Sequence, residues 1–158
     1  MTKHDNANDL SVPCKPESAL MQLNVFVGKW NTEGIVKDAA SGSTVTLKAM
    51  DTYEWLPGGY FLIHHVDGQM GDSEVKAIEM IGYDAASQMY ITHSYDNQGN
   101  MNKYQAMLLD NNWTIAGQSE RFSGRFSDDR MILTGEWKLL NESSNWEHWM
   151  DIKLTKIE

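Results

Sequence analysis

The chain has 158 residues and a mass of 18.0 kDa, a length that predicts one domain with a core of its own. It carries 22 Asp and Glu residues against 13 Lys and Arg residues, for a formal net charge of -9. Such a surface repels phosphate backbones, so we expect no nucleic-acid partner. The one cysteine, Cys14, excludes an internal disulfide and a cysteine-rich zinc site.

Residues 1–16 are polar and lack hydrophobic periodicity, which predicts a flexible N-terminal tail ahead of a single domain over 17–158. No segment approaches the roughly 20 apolar residues that a bilayer span requires. The N-terminus also lacks the apolar core of a signal peptide. We therefore expect a cytoplasmic protein without a membrane span.

A short amphipathic helix is predicted over Pro16–Phe26. Proline is favoured at a helix start, Glu17 lies in the first turn, and Leu20, Leu23 and Phe26 recur at three-residue spacing. In a barrel, such a helix closes one end.

Strands with period-2 alternation follow the helix. Val45, Leu47, Ala49, Tyr53 and Trp55 share one face of the first long run. Further strands are predicted over 60–66, 74–83, 89–95, 101–109, 113–117, 120–126, 131–139 and 146–157. Their turns are too short for crossover connections, so neighbouring strands must be antiparallel. About ten such strands predict an all-β, up-and-down barrel, which leaves no free edges. An open two-sheet sandwich is the alternative.

The Gly28-Lys29-Trp30 motif at the first strand resembles the Gly-x-Trp signature of the calycin superfamily, which includes lipocalins, fatty-acid-binding proteins and nitrobindins. A closer resemblance is to a set of small, mostly bacterial lipocalin-like proteins of unknown function. Its features are the opening Leu23–Trp30, the turn and strand Leu56–Phe61, and the triplet Gly82–Asp84. The resemblance implies a barrel with a cavity, but no reaction. Gly28 and Trp30 are expected to be structural, as a tight junction and a buried ring.

We expect the lumen to bind a small apolar or amphipathic molecule, with no catalytic residue and no metal or other cofactor. A face that mixes apolar residues with a few polar groups is typical of such a site. At most one of His64 and His65 can face the lumen, because adjacent strand residues point to opposite sides. The sequence does not choose between them. The lumen candidates are Trp55, His65, His93, Tyr95, Met107, Trp137 and His148.

Four alternatives stay open. The resemblance to nitrobindins implies a haem with His148 as its axial ligand, because that family uses a histidine on its C-terminal strand. Three histidines, His65, His93 and His148, could hold zinc if they met in the lumen, and the cavity could serve another enzyme. Finally, the barrel could be filled by its own side chains and act as a homodimeric interaction module.

Overall fold

The computed structural model describes residues 15–38 and 40–158. Cys14 and nearly all of the predicted tail therefore lie outside the described residues. The described chain begins with helix α1 (Glu17–Gln22), followed by a 3-10 turn (Leu23–Val25). The strands are β1 (Gly28–Lys37), β2 (Thr44–Trp55), β3 (Leu62–Met70), β4 (Ser73–Asp84), β5 (Met89–Asp96), β6 (Met101–Leu109), β7 (Asn112–Ala116), β8 (Glu120–Phe126), β9 (Ile132–Leu140) and β10 (Trp146–Lys156).

The strands form a closed barrel in which each strand pairs with its neighbours in sequence. The last strand, β10, pairs antiparallel with the first strand, β1, from Trp30 opposite Lys156 to Val36 opposite Met150. Closure satisfies the backbone groups that an open sheet would leave unpaired at its edges. The predicted barrel of about ten strands is confirmed, and the open sandwich is wrong.

Side chains alternate between the barrel interior and the outer surface, as strand geometry requires. In β2, Leu47, Asp51 and Tyr53 are buried, while Thr46 and Lys48 on the opposite face are exposed. The predicted inward face of this strand is therefore confirmed, and it contains a carboxylate.

The N-terminal helix closes one end of the barrel, as predicted. Leu20 and Leu23 are buried in the core cluster that the strands form at this end. The Tyr90 hydroxyl donates a hydrogen bond of 2.6 Å to the carbonyl of Ala19, and the Trp30 indole donates one of 2.7 Å to the carbonyl of Phe26. These bonds attach the helix to β1 and β5.

Gly28, at the junction of helix and barrel, has a φ of +128°. A Cβ atom there would lie 2.0 Å from the carbonyl oxygen of Glu158, so only glycine fits without moving the C-terminal backbone. None of the described helices is long and apolar enough to cross a membrane.

Candidate ligand-binding cavity

The barrel contains a cavity of about 330 Å³, which is near the lower end of the usual range for small-molecule sites. Phe26 and Trp113 form its floor, with ring centroids 4.9 Å apart. At the other end, the lining reaches Met70 and Asp96, the last residues of β3 and β5. The cavity therefore extends from the helix-closed end toward the opposite end of the barrel.

Most of the cavity lining is apolar. Aromatic and aliphatic side chains from many strands contribute, including Phe122, Trp137, Trp149 and Met150 on one side. Flat aromatic rings and flexible methionine offer a surface that accommodates apolar groups of different shape. This lining can hold the apolar part of a small molecule.

Four polar side chains on adjacent strands, Thr32, Asp51, His64 and Glu79, form a hydrogen-bonded group in the cavity wall that we call the His64 cluster. The His64 Nε2 lies 2.5 Å from Asp51 Oδ1, and its Nδ1 lies 3.0 Å from Glu79 Oε1. The Thr32 hydroxyl donates to Asp51 Oδ2. Every residue of the cluster comes from a different strand, β1 to β4, so the pairing of these four consecutive strands assembles it.

The environment of the His64 cluster favours a protonated imidazole. Burial lowers the pKa of His64, but the hydrogen bonds and charges of Asp51 and Glu79 outweigh this effect and raise the pKa to about 9. The ring also stacks on Tyr53, its cross-strand neighbour, with centroids 4.0 Å apart and an interplanar angle of 8°. Burial, together with the charges of Asp51 and Glu79, raises the pKa of the Tyr53 hydroxyl well above its usual value.

A second polar pair lies across two other strands. The Tyr104 hydroxyl donates a 2.6 Å hydrogen bond to Glu120 Oε2, and both residues line the cavity. Burial and this hydrogen bond raise the pKa of Tyr104, and the charges of Glu79 and Asp96 add to the effect. All three of these acidic residues, Glu79, Asp96 and Glu120, line the same cavity.

The geometry limits what the His64 cluster can do chemically. Both ring nitrogens of His64 face carboxylates at hydrogen-bond distance, so neither is free to bind a metal or to accept a proton from a ligand. A charged imidazole held in this way fixes the positions of Asp51 and Glu79. The cluster therefore supplies a fixed charge pattern and hydrogen-bond acceptors.

The structure brings only part of the predicted site together. Trp137 lines the cavity, and whether it contacts a ligand stays a prediction. Trp55 packs beside the helix instead, where its indole donates a 2.8 Å hydrogen bond to Asn24 Oδ1. Contrary to the predicted orientation, five candidates are exposed on the outer face: His65, His93, Tyr95, Met107 and His148.

The orientation of His148 is reversed by a β-bulge. The register between β10 and β9 shifts between His148 and Met150, so that Trp149 is an additional residue. A bulge of this kind breaks the strict alternation of side chains. Trp149 and Met150 therefore both line the cavity, while His148 points outward and its Nδ1 lies 2.7 Å from Glu136 Oε2.

His93 and Tyr95 point outward for a different reason. Both faces of β5 carry aromatic or apolar residues, so alternation alone does not say which face is inside. The structure places Tyr90, Thr92 and Ser94 inside. Hydroxyl side chains suit either an outer surface or a polar lumen lining, so they do not identify the inner face of this strand.

His65 and Met107 are outward because their strand neighbours face the cavity. His64 occupies the lumen, which settles the choice between the two adjacent histidines. In β6, Tyr104 and Ala106 are the buried residues, so Met107 must point outward.

Sequence reasoning missed the polar lining itself. Asp51 lies between Ala49 and Tyr53 on a face that the alternation already predicts to be buried, and a carboxylate there is unusual. His64 shares its face with the apolar Leu62 and Val66. These two signals were available in the sequence, but the contacts of Glu79 and Glu120 depend on strand register.

The residues present do not fit a haem ligated from within the lumen. His148, the residue that the nitrobindin resemblance implies, is on the outer face, and the ring nitrogens of the cavity-lining His64 are both engaged. His65, His93 and His148 lie on the outer faces of β3, β5 and β10, and among the described residues their ring nitrogens do not come together as zinc ligands. Outside the barrel, one ligand atom each from Glu136, His148 and Asp151 lies within 4.8 Å of the others, a surface group that we call the His148 cluster.

These features define the protein as a closed antiparallel barrel with an internal cavity that is mainly apolar and carries a small number of charged groups. Residues 15–143 match the family described as "Protein of unknown function (DUF1579)". The match covers most of the chain, so the chain belongs to the DUF1579 family.

The crystal structure of Rv2717c from M. tuberculosis is similar to this fold. The TM-score is 0.65 with 10% sequence identity, and the alignment covers 89% of this chain and 98% of that chain. At this identity, the likeness extends to the fold alone. Among the curated proteins compared with the chain, none matches.

Proposed function

We propose that this protein binds a small apolar or amphipathic molecule in the lumen of its barrel. One observation carries the proposal: the barrel interior retains a cavity of about 330 Å³ with a mainly apolar lining and a few polar groups. Small-molecule sites have this composition, because apolar walls supply affinity and a few polar groups supply orientation. A filled interior, as the homodimeric interaction module requires, does not agree with such a cavity.

We also infer that the barrel is related to the calycins. In support, Trp30 is buried and donates its indole hydrogen bond to the carbonyl of Phe26 just before β1. Gly28 has a positive φ at the same junction. A Gly-x-Trp motif that closes the barrel floor beside a short N-terminal helix is the arrangement that the calycin resemblance implies.

The proposal is tested by filling the cavity. N-phenylnaphthylamine is a neutral dye whose fluorescence rises in apolar surroundings, and we expect it to bind with a stoichiometry of about one, as a small barrel can hold one small ligand. Ala77 lines the cavity, so Ala77→Trp should abolish the saturable signal. Ala116 lies on the exposed face of β7, and Ala116→Trp is the matched control that should bind the dye normally.

Circular dichroism and thermal unfolding of both variants establish that the barrel remains folded. Saturable binding that Ala77→Trp leaves intact would place the dye outside the lumen and contradict the proposal. The absence of any saturable binding to the unmodified protein would also contradict it.

A further inference from the structure

The cavity carries an excess of acidic side chains. Four of its lining residues bear carboxyl groups: Asp51, Glu79, Asp96 and Glu120. His64 is the basic lining residue, and within the described chain no Lys or Arg lines the cavity. A charged His64 therefore balances one carboxylate and leaves the interior with a negative excess.

Two of these carboxylates have acceptor capacity left for a ligand. Glu79 uses Oε1 for His64, and Glu120 uses Oε2 for Tyr104. Among the described residues, no hydrogen-bond donor contacts Glu79 Oε2 or Glu120 Oε1. A carboxylate accepts about four hydrogen bonds, so a cation in the lumen would find acceptors already in position.

Among the described residues, the lining offers an anionic ligand no free charged donor. Both N–H groups of a protonated His64 face Asp51 and Glu79, and the Tyr104 hydroxyl already donates to Glu120. A ligand carboxylate would therefore meet like charges in a space that is shielded from water, where repulsion is strong.

We propose that the lumen selects molecules that combine an apolar body with a protonated amine, with the ammonium group bound by Glu120 and attracted by the charge of Glu79. The inference rests on the proposed function and specifies the class of ligand for the same cavity. An ammonium group has three donors and no acceptor, which complements the free carboxylate oxygens. Charge-assisted hydrogen bonds of this kind are about twice as strong as neutral ones. The net charge of -9 also attracts cations to the protein from solution.

Three probes with the same aromatic body test this inference: naphthylethylamine, naphthylethanol and naphthylacetate. Their binding is measured by isothermal titration calorimetry at neutral pH, where the amine is cationic and the carboxylate anionic. We expect the amine to bind about tenfold more tightly than the alcohol, and naphthylacetate to bind more weakly than either.

Variants at one lining carboxylate and one outer carboxylate sharpen the test. Glu120→Gln keeps an oxygen that can accept from Tyr104 but removes the charge, so the amine should lose about tenfold in affinity while the alcohol changes by less than about twofold. Glu33, exposed on β1, is the control, and Glu33→Gln should leave all three affinities unchanged.

The outcomes separate this inference from the proposed function. If the alcohol binds and the amine has no advantage, or if naphthylacetate binds best, the charge preference is wrong while binding in the lumen stands. An amine preference that persists undiminished in Glu120→Gln would contradict the contact with Glu120. If none of the three probes binds, this inference is wrong, and the dye experiment with Ala77→Trp then decides the proposed function separately.

Discussion

Two histidines in this barrel each lie between two carboxylates, one inside the barrel and one outside. In the His64 cluster the imidazole side chain is 13% exposed, and its carboxylates are 2.5 and 3.0 Å away. In the His148 cluster the imidazole is 39% exposed, with carboxylates at 2.7 and 3.4 Å. The chemistry and the distances are similar, so the difference in burial is what gives the two clusters different energetic roles.

Burial strengthens the attraction between paired charges, and it also raises the cost of a charge that has lost its partner. Water screens the His148 cluster, so its ion pairs contribute little to stability. Little water reaches the His64 cluster, so its charges interact strongly and depend on one another for compensation. Comparing the two clusters therefore separates the effect of burial from the effect of the groups themselves.

The largest expected difference follows from removing each imidazole. His64→Ala leaves the buried Asp51 and the partly buried Glu79 without their counter-ion, and we expect it to lower the free energy of unfolding by about 3–5 kcal/mol. His148→Ala removes a surface partner and should cost about 0–1 kcal/mol. Urea unfolding of both variants at neutral pH measures the difference, and similar losses would show that burial does not distinguish the clusters.

The pH dependence of stability is the next largest effect. The folded-state pKa of His64, about 9, lies above its ordinary value of 6.5, so folding favours the protonated ring. Its stabilisation is complete below about pH 6.5 and is lost as the pH rises through about 9. At about 1.4 kcal/mol per pKa unit, this contribution is at most about 3–4 kcal/mol.

The measurement compares unfolding free energies between pH 6 and pH 10 for the unmodified protein, His64→Gln and His148→Gln. The groups that face His64 are Asp51, Glu79 and Tyr53, and they remain in every variant. His64→Gln should flatten the decline, and His148→Gln should preserve it. A decline that is equally steep in His64→Gln would assign the pH dependence to other groups.

The smallest effect concerns an interior hydroxyl that, unlike the His64 cluster, has no partner. Thr92 is fully buried, and its Oγ1 has no hydrogen-bond partner among the described residues. Thr92→Val keeps the shape and removes the unsatisfied hydroxyl, so we expect stability to rise by up to about 1 kcal/mol. Thermal unfolding checks this, and a clear loss of stability would mean that the hydroxyl has a partner, such as a bound water.

The barrel could be predicted from the sequence because the features that indicate it are local. Alternation in β2 and the short turns between strands each depend on a few neighbouring residues, and together they lead to a closed antiparallel barrel. The closing helix was also predictable, from the spacing of Leu20, Leu23 and Phe26. Each of these features follows from the chain within one or two elements.

The site was harder to predict because it depends on register across strands. Alternation alone leaves two possible inner faces for β5. In β10, the bulge at Trp149 turns the His148 side chain from the inner face to the outer face. The contact between His64 and Glu79 exists because these residues are directly opposite in β3 and β4. Such pairings are set by the turns and by barrel closure, so a list of residue types along the chain does not contain them.

The central claim is that the acidic, mainly apolar lumen binds an amine, and a crystal structure of the protein with naphthylethylamine tests it most directly. The account predicts the naphthalene ring within the barrel, between the floor at Trp113 and the wall at Trp137, with the ammonium nitrogen within about 3 Å of a carboxylate oxygen of Glu120. A lumen packed solid by side chains, or the ligand bound only on the outer surface, would contradict it.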